Sequence, residues 1–434
     1  MGKKKLIVVS ADAMVGEDVG YLKTLPNYRR YLAGGSEVKC IRTIYPTITY
    51  PAHTSIATGT YPNKHGITSN LEFHVGERQL PWNWFHSAVK VPDLFTAAKK
   101  AGLTTAAVFW PVTGNHPDID YLIDEYWTQS ADDTVLEAFA RSGSSPQMLE
   151  IVKKNLPTIV ERKHPMCDDF LIACGCDIIR RFQPDLIMLH PAQIDDYRHK
   201  FGIFNDKVTK GVQETDGYIG QLMQAAEDAG VLKDTNFVLI SDHGQMDIKR
   251  IMNPNVILAD KGLIQIGPDG KISDWEAYSL SGGLSALVYL KDPRNCAVYD
   301  KTYEVLSYMR DEGIYGISEV FTEAQSNTLH GLGGDFSFVL ETDGFSAFGD
   351  AWKRPIVTNF DFSDYRYGRA THGYLPEKGP QPVLLAKGPD FAENVVVDYR
   401  HITDEGPTFA KLLGTSLPDT DGTPIDAILR GGSL

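Results

Sequence analysis

Residues 238–245 read Val-Leu-Ile-Ser-Asp-His-Gly-Gln, an apolar run that ends in two side chains able to bind a metal. The apolar part predicts a buried strand, and Asp242 and His243 fall at its carboxyl end. Adjacent Asp and His residues at a strand end can both turn toward one ion, and Gly244 permits a tight exit. Open α/β sheets carry their sites at this end of their strands. The stretch therefore predicts a metal site at the edge of an α/β sheet.

Short β-branched runs alternate with longer amphipathic segments along much of the chain, which is typical of strands alternating with helices. The strands are rich in Val, Ile and Leu on both faces, so the sheet should be covered on both sides. We expect an α/β fold with a central sheet between helices. The predicted strands are Leu6–Ser10, Thr104–Trp110, Asp185–His190, Asn236–Ser241 and Pro382–Lys387. The predicted helices are Val91–Ala101, Gln147–Arg181, Lys207–Ala229 and Thr403–Leu413.

The stretch from about Met246 to Arg369 differs from the rest. It has more Gly and turn residues, and its short strands, Leu284–Leu290 and Phe336–Leu340, alternate in polarity. It also separates two motifs that must meet in space. We therefore predict a catalytic α/β core formed by residues 1–245 and 370–434, with residues 246–369 as an inserted α+β cap.

The charge balance bears on the partners of the protein. The 434 residues include 42 basic and 56 acidic ones, for a net charge of −14. This argues against a nucleic-acid scaffold, which would display a basic face. It leaves an anionic small substrate open, because bound divalent metals reverse the local field. The five cysteines form no regular framework, and Cys174 and Cys176 lie in a helix-like apolar stretch where packing is their expected role.

The first ten residues have a basic cluster followed by only a short apolar run. A signal peptide requires a longer one, and no run approaches the roughly 18 apolar residues of a membrane helix. The myristoylation pattern is not met, since residue 6 is Leu. The sequence thus predicts a cytoplasmic protein without a membrane partner, and it leaves the oligomeric state open.

Three further segments carry metal-ligand residue types next to apolar runs. Asp12 follows the first predicted strand, where it could equally be a turn residue or a helix cap. Asp195 and His199 are four residues apart, so in a helical turn they share one face that is either a chelating pair or simply solvated. His372 precedes Gly373 in a turn before the last predicted core strand. Taken alone, each of these three signals is weak.

Together the segments supply two sets of three ligands. One set is Asp195, His199 and His372, and the other is Asp12, Asp242 and His243. Mixed nitrogen and oxygen sets of three with an open position suit catalytic zinc. Two such ions about 4 Å apart can clamp a phosphate group during displacement. The sequence therefore predicts two divalent ions, zinc for preference, that act on a phosphate ester.

Residues 45–51, Tyr-Pro-Thr-Ile-Thr-Tyr-Pro, supply a candidate nucleophile in Thr49. We expect Thr49 at the entry of a helix that begins near Ala52, where free N–H groups favour an oxyanion. A coordinated metal would lower the pKa of the hydroxyl and make the alkoxide accessible. Standing alone, the segment would favour an ordinary cap or turn threonine.

The ordered set of motifs resembles the nucleotide pyrophosphatase/phosphodiesterase branch of the alkaline phosphatase superfamily, from about residue 6 to residue 390. The motifs that carry the resemblance are Pro46-Thr-Ile-Thr49-Tyr-Pro, Thr58–Gly66, Asp195–His199, Asp242–Gly244 and His372–Gly373. The resemblance implies an alkaline-phosphatase-like α/β fold with a mixed, largely parallel central sheet between helices. It also implies hydrolysis of phosphate diesters or nucleotide pyrophosphates through a phosphorylated or nucleotidylated Thr49. It also implies that Asn70 binds a non-bridging phosphate oxygen. By the same resemblance, Asp12, Asp242 and His243 hold the metal that activates Thr49. Thr49 would itself be a ligand of that metal.

Two positions depart from that family. The residue after the first Asp is often Gly and here is Ala13, and a Tyr that packs a nucleotide base is here His190. The nearby His53 and His65 are expected to be structural. An apolar pocket could be lined by Phe73, Trp82, Trp84, Phe85 and Trp110, although core packing accounts for at least half of them.

Alternatives remain within and outside this branch. Phosphonoacetate hydrolase resembles the same branch and needs cations for a carboxylate, for which Lys64 and Lys90 are available. A phosphomonoesterase would add an Arg clamp, and no Arg follows Thr49 closely. A sulfatase would need a Cys or Ser nucleophile. A catalytically inactive binding module is a remote alternative, because the nucleophile and all the ligand types are present.

Overall fold

The computed structural model describes residues 4–77, 79–159 and 163–432. Residues 1–3, part of the segment used to predict the location of the protein, lie outside the described residues. The strands are β1 (Lys5–Ser10), β2 (Ser36–Arg42), β3 (Thr105–Val108), β4 (Tyr121–Ile123), β5 (Leu186–Leu189), β6 (Thr235–Ile240), β7 (Met246–Asp247), β8 (Arg250–Met252), β9 (Ile264–Ile266), β10 (Ile272–Trp275), β11 (Ala277–Ser281), β12 (Ser285–Leu290), β13 (Ile317–Thr322), β14 (Phe338–Thr342), β15 (Ser346–Phe348), β16 (Val357–Thr358), β17 (Ala370–Thr371), β18 (Leu384–Lys387) and β19 (Val396–His401).

Helices lie between these strands. They are α1 (Gly16–Leu22), α2 (Pro26–Tyr31), α3 (Thr49–Thr58), α4 (Pro62–His65), α5 (Leu94–Lys100), α6 (Val135–Arg141), α7 (Pro146–Asn155), α8 (Met166–Phe182), α9 (Gln193–Phe201), α10 (Asp206–Asp228), α11 (Pro254–Asp260), α12 (Cys296–Asp311), α13 (Glu323–His330) and α14 (Glu405–Leu412). No described helix has both the length and the apolar character that spanning a bilayer requires.

Most of the predicted elements are present with shifts of a few residues at their ends. The single helix predicted for Gln147–Arg181 is wrong, because the structure has α7 and α8 there instead. Pro157 and Pro165 lack the N–H that a continuous helix needs, and α8 starts directly after Pro165. Residues 160–162 of that predicted helix lie outside the described residues.

The central sheet has eight strands in the order β19-β2-β18-β6-β1-β5-β3-β4. Strand β18 runs antiparallel to both of its neighbours, β6 and β2, while the other pairs are parallel. The mixed, largely parallel sheet is therefore confirmed. Strand β1 lies at its centre and pairs with β5 on one side and β6 on the other.

Side chains of β1 alternate between two apolar layers, as a pleated strand requires. Ile7 and Val9 belong to a cluster with residues of α8 and α10. Leu6 and Val8 belong to a second cluster with residues of α3, α5 and α14. The sheet is thus covered by helices on both faces, as predicted. Cys174 and Cys176 are buried in the first cluster, which agrees with a packing role.

Residues between β6 and β18 form smaller sheets with a core of their own. Strands β11, β12, β14 and β13 make an antiparallel sheet, and α12 supplies buried side chains behind it. Strands β7 and β17 pair with each other at the two ends of this stretch. The arrangement agrees with an inserted α+β region, and the domain boundaries at 246 and 369 stay a prediction.

A buried carboxylate joins this region to the segment that follows His372. Glu341, in β14, accepts a hydrogen bond from the Leu375 N–H at 3.1 Å and pairs with Lys378 Nζ at 3.0 Å. Its side chain is fully buried. Burial raises the pKa of Glu341 to about 7, although Lys378 opposes the shift.

We expect Glu341→Gln to weaken the pH dependence of stability. A carboxyl whose pKa is raised on folding contributes stability that is present at low pH and is lost as the pH rises through about 7. The neutral amide of the variant does not ionise, so this loss is absent. Between pH 5.5 and pH 8.5, the decrease in the free energy of unfolding should therefore be smaller for the variant than for wild type, and the difference should be roughly 1–3 kcal/mol. Urea denaturation at both pH values measures it, with the exposed Glu319→Gln as control. Parallel pH profiles for wild type and Glu341→Gln would contradict the prediction.

Candidate metal centre and active site

Three neighbouring parallel strands bring most of the predicted ligands to one edge of the sheet. Asp12 lies two residues after the end of β1, and Asp242 lies two residues after the end of β6. Strand β5 is followed by α9, whose residues Asp195 and His199 occupy one helix face. Because carboxyl ends of parallel strands meet at one edge, segments far apart in the chain converge there.

The β7–β17 ladder returns the last ligand to this edge. Thr371 pairs with Met246, which places His372 beside the residues that follow β6. The His372 and His243 rings stack with centroids 4.2 Å apart. Gly373 donates its N–H to the Thr47 carbonyl at 2.9 Å, which ties the turn to the loop before Thr49. All six predicted ligands and Thr49 are therefore brought together.

The first ligand set is Asp12, Asp242 and His243, all of them buried. His243 donates from Nδ1 to the Gly244 carbonyl at 3.2 Å, which leaves the lone pair of Nε2 free. That Nε2 lies 3.5 Å from Asp12 Oδ1 and 3.2 Å from Asp242 Oδ2. The three ligand atoms consequently face one another.

The second set, Asp195, His199 and His372, has the same design. His199 donates from Nδ1 to the Ala370 carbonyl at 2.8 Å, so the lone pair of its Nε2 points toward Asp195 Oδ2, 3.0 Å away. The His199 and His372 rings lie 5.3 Å apart. Gln245 holds Asp195 from behind through its side-chain amide.

The donor atoms of both sets fit divalent cations. Asp12 Oδ1, Asp242 Oδ2, His199 Nε2 and both ring nitrogens of His372 are buried without a hydrogen-bond partner among the described residues. Burial and the charge of the neighbouring Asp12 raise the pKa of Asp242 to about 7, and burial likewise raises the pKa of Asp12. Acceptor atoms crowded together in a dry site are costly unless a cation lies between them.

Thr49 starts α3, so the helix begins three residues earlier than predicted. Pro51 is compatible with this start because the first turn of a helix needs no N–H at that position. Thr49 Oγ1 lies 3.1 Å from His243 Nε2, and the hydroxyl thus faces the first ligand set. Asn70 accepts from the Tyr50 N–H at 2.8 Å through Oδ1, which directs its amide nitrogen toward the cavity.

Two contacts around the ligands were not predicted from the sequence. His190 donates from Nε2 to Asp12 Oδ2 at 2.9 Å, which leaves Oδ1 for the ligand set. Tyr365 reaches the cavity from the inserted region, accepts from Asn70 Nδ2 at 3.2 Å and stacks on His372. Neither residue lies in a motif with ligand spacing. A position that depends on the fold leaves no signal in the local sequence.

The site opens into a cavity of about 670 Å³. Of the aromatic residues predicted to line a pocket, Trp82 and Trp84 do so, which confirms part of that prediction. The other three are not among its lining residues: Phe73 stacks on Tyr289, Trp110 packs against His53, and Phe85 packs against Tyr126. Lys64 and Lys90 do not line it either, and Lys64 pairs with Asp421.

His53 and His65 have structural contacts, as expected. His53 donates to the Thr49 carbonyl at 2.8 Å and accepts from the Ser10 hydroxyl at 2.9 Å. His65 bridges the Ser55 hydroxyl at 3.0 Å and the Ile67 N–H at 3.1 Å. These contacts hold α3 and the loop after it against the sheet.

A sequence model of one family spans most of the chain. The type I phosphodiesterase / nucleotide pyrophosphatase family matches residues 6–374. The chain belongs to this family.

Curated relatives in the family resemble only part of the chain. The venom phosphodiesterase 2 of Crotalus adamanteus is 27% identical over 253 residues, which cover 56% of this chain and 27% of the venom protein. The human ectonucleotide pyrophosphatase/phosphodiesterase family member 1 is 25% identical over 261 residues, or 57% of this chain and 24% of that protein. The matches thus span about a quarter of the length of these relatives.

The fold recurs over nearly the whole chain. The solved structure of murine ectonucleotide pyrophosphatase / phosphodiesterase 5 superposes with a TM-score of 0.67 at 17% identity. The match covers 98% of this chain and all of that one. The predicted alkaline-phosphatase-like architecture of this phosphodiesterase family is therefore confirmed.

At Ala13 this family member departs from the expected Gly, and the structure shows the consequence. Ala13 adopts φ 56°, a left-handed conformation that glycine takes without strain. Its N–H donates to Asp242 Oδ1 at 3.2 Å, which leaves Oδ2 for the ligand set. Strain of about 1–2 kcal/mol is tolerated here in return for a fixed carboxylate.

Tyr365→Phe tests whether the inserted region orients Asn70. The variant keeps the ring on His372 and loses only the hydroxyl that meets the Asn70 amide. One lost hydrogen bond should slow diester hydrolysis about three- to tenfold, with metal content unchanged. Steady-state rates on bis(p-nitrophenyl) phosphate measure it. Tyr367→Phe is the matched control, because its hydroxyl bonds Asp350 instead. Equal rates for Tyr365→Phe and wild type would remove Tyr365 from this role.

Proposed function

We propose that this chain hydrolyses phosphate diesters or nucleotide pyrophosphates, with Thr49 as nucleophile. The observation that carries the proposal is the Thr49 hydroxyl, 3.1 Å from His243 Nε2, next to two sets of buried ligand atoms. The family and the names of the curated relatives support this substrate class. An inactive variant of murine ectonucleotide pyrophosphatase / phosphodiesterase 5 has been solved with AMP, which supports a nucleotide as one test ligand.

The residues present suit two zinc ions. Asp195, His199 and His372 would hold one ion, and Asp12, Asp242 and His243, with Thr49, would hold the other. When bound, the ions would lower the pKa of the Thr49 hydroxyl and offset charge on the phosphate oxygens.

The protein's own side chains account for the remaining steps. Thr49 attacks phosphorus in line, forms a phosphorylated or nucleotidylated threonine and releases the leaving group. Asn70 donates its amide N–H to a non-bridging oxygen, and free N–H groups at the start of α3 favour the same charge. Water then attacks phosphorus and restores Thr49.

The alternative functions considered from the sequence fit the cavity less well than diester or pyrophosphate hydrolysis. A phosphomonoesterase needs a free Arg clamp, and Arg366 is already engaged by Asp350 and Asp364. Lys64 and Lys90, the cations proposed for a phosphonoacetate hydrolase, lie outside the cavity. The complete ligand set argues against an inactive binding module. The cytoplasmic location stays a prediction.

Thr49→Ala tests the nucleophile. Removing the hydroxyl should lower hydrolysis of bis(p-nitrophenyl) phosphate at least about a hundredfold, because the proposed covalent step loses its nucleophile. Thr49→Ser keeps a hydroxyl and should retain much of the rate. Stopped assays with purified variants measure both. Undiminished hydrolysis by Thr49→Ala would overturn the assignment.

Metal analysis tests the two ligand sets separately. We expect two zinc ions per purified chain, with Asp195→Asn and Asp242→Asn each losing about one of them. Chelation should abolish hydrolysis and added zinc should restore it. Emission spectrometry for metal content, paired with activity before and after chelation, gives the answer. Hydrolysis that survives complete metal removal would contradict the proposal.

A further inference from the structure

A second polar cluster lines the same cavity at the start of α8. It consists of His164, Cys167 and Asp168, whose ligand-type atoms lie within 4.8 Å of one another. None of the three belongs to the ligand sets or to the Thr49 segment. The cluster therefore shares a cavity with Asp12, Asp195, His199 and His372 of the predicted ligand sets.

The cluster is anchored to the helix that carries two of the predicted ligands. His164 Nδ1 donates to Asp168 Oδ2 at 2.6 Å, and Asp168 Oδ1 accepts from the Ala192 N–H at 2.7 Å. Ala192 immediately precedes α9, which carries Asp195 and His199. Asp168 is buried, so this connection is shielded from solvent. The two hydrogen bonds of Asp168 thereby fix His164 relative to the start of α9.

His164 lines the cavity, and only one of its two ring nitrogens is paired with Asp168. With Nδ1 on Asp168, the contact of Nε2 within the described residues is the Cys167 sulfur at 3.8 Å. Burial alone would lower the pKa of His164, but Asp168 outweighs it and holds the pKa well above the usual value. The imidazolium then presents a charge-assisted N–H donor, the kind of group that binds carboxylate or phosphate oxygens.

Two other uses of the cluster are disfavoured. As a nucleophile, Cys167 would need a free imidazole base, yet its sulfur lies nearer to Nδ1, at 3.5 Å, which Asp168 already occupies. As a metal ligand it would need to be a thiolate, and burial raises its pKa. A protonated imidazole paired with a carboxylate is the state that these contacts favour.

His164 differs from Arg366 and Lys200, two described cationic side chains that also line the cavity. Arg366 has its donors on Asp350, Asp364 and the Ser281 carbonyl. Lys200 is half-exposed and pairs with Asp196 at 2.7 Å. His164 is paired with a carboxylate through Nδ1 only, and its Nε2 contacts the Cys167 sulfur.

We propose that His164 binds a second anionic oxygen group of the substrate, a phosphate or a carboxylate that lies beyond the scissile phosphorus. This inference rests on the proposed function, because it places the scissile phosphate beside Thr49. It narrows the substrates to esters or anhydrides with an additional negative charge. It also supplies the cation that Lys64 and Lys90 do not bring to the cavity.

His164→Gln tests the subsite by binding, independently of turnover. The amide keeps a neutral donor but not the charge. Titration calorimetry on zinc-loaded protein compares pyrophosphate and phosphonoacetate, which carry a second anionic group, with inorganic phosphate, which does not. We expect at least a tenfold rise in Kd for pyrophosphate or phosphonoacetate, and less than a twofold change for phosphate. The ligand that loses affinity identifies the second group as phosphate or carboxylate.

The controls separate this role from a structural one. His74→Gln removes an exposed histidine outside the cavity and should behave as wild type. His164→Asn serves as a second variant, and thermal melting establishes that each is folded. Unchanged Kd values for both probes, or equal weakening of all three ligands, would overturn the proposal.

Kinetics provide a further readout. With ATP, His164→Gln should raise KM at least tenfold at nearly constant kcat, while KM for bis(p-nitrophenyl) phosphate stays within twofold. Absence of turnover in wild type would reject the proposed function and leave the calorimetric result valid. Selective loss of pyrophosphate binding without any turnover would keep the subsite and reject the reaction.

Discussion

The candidate site depends on buried acceptor atoms that lie close to one another. Asp12, Asp242 and His243 present two carboxylate oxygens and a nitrogen lone pair to one small volume. Backbone carbonyls hold the imidazole rings of His243 and, in the second set, of His199. Burying such a group unpaired costs several kcal/mol per charge, by order of magnitude. The arrangement therefore fits a cation site. The proposed nucleophile, Thr49, contacts His243 of the same cluster.

The sheet makes this cluster possible. Strands β5, β1 and β6 are adjacent and parallel, so the residues after their carboxyl ends meet at one edge, although they lie up to about 230 positions apart in the chain. The ladder of β7 and β17 then brings in His372 at the point where the inserted region returns. The inserted region is thus part of the site, since it also supplies Tyr365 to Asn70.

The contacts behind the ligands set which atoms are available. His190 occupies one oxygen of Asp12, Ala13 occupies one oxygen of Asp242, and Gln245 holds Asp195. Each carboxylate is thereby left with a preferred free oxygen. Such contacts orient metal ligands in proteins generally. The buried His190 ring, which contacts Asp12, also lines the cavity.

The sequence by itself determined the α/β fold class, and it predicted the six ligands and Thr49, while the family resemblance predicted Asn70. The ligand predictions came from apolar runs that end in Asp or His, from the four-residue spacing of Asp195 and His199, and from the combination of segments that are weak signals one by one. Only the tertiary structure decided the antiparallel direction of β18, the break between α7 and α8, and the contacts of His190, Tyr365 and His164. These depend on which atoms meet after the chain has folded. A residue type and a spacing can predict a ligand, but the partner that orients it comes from a distant segment.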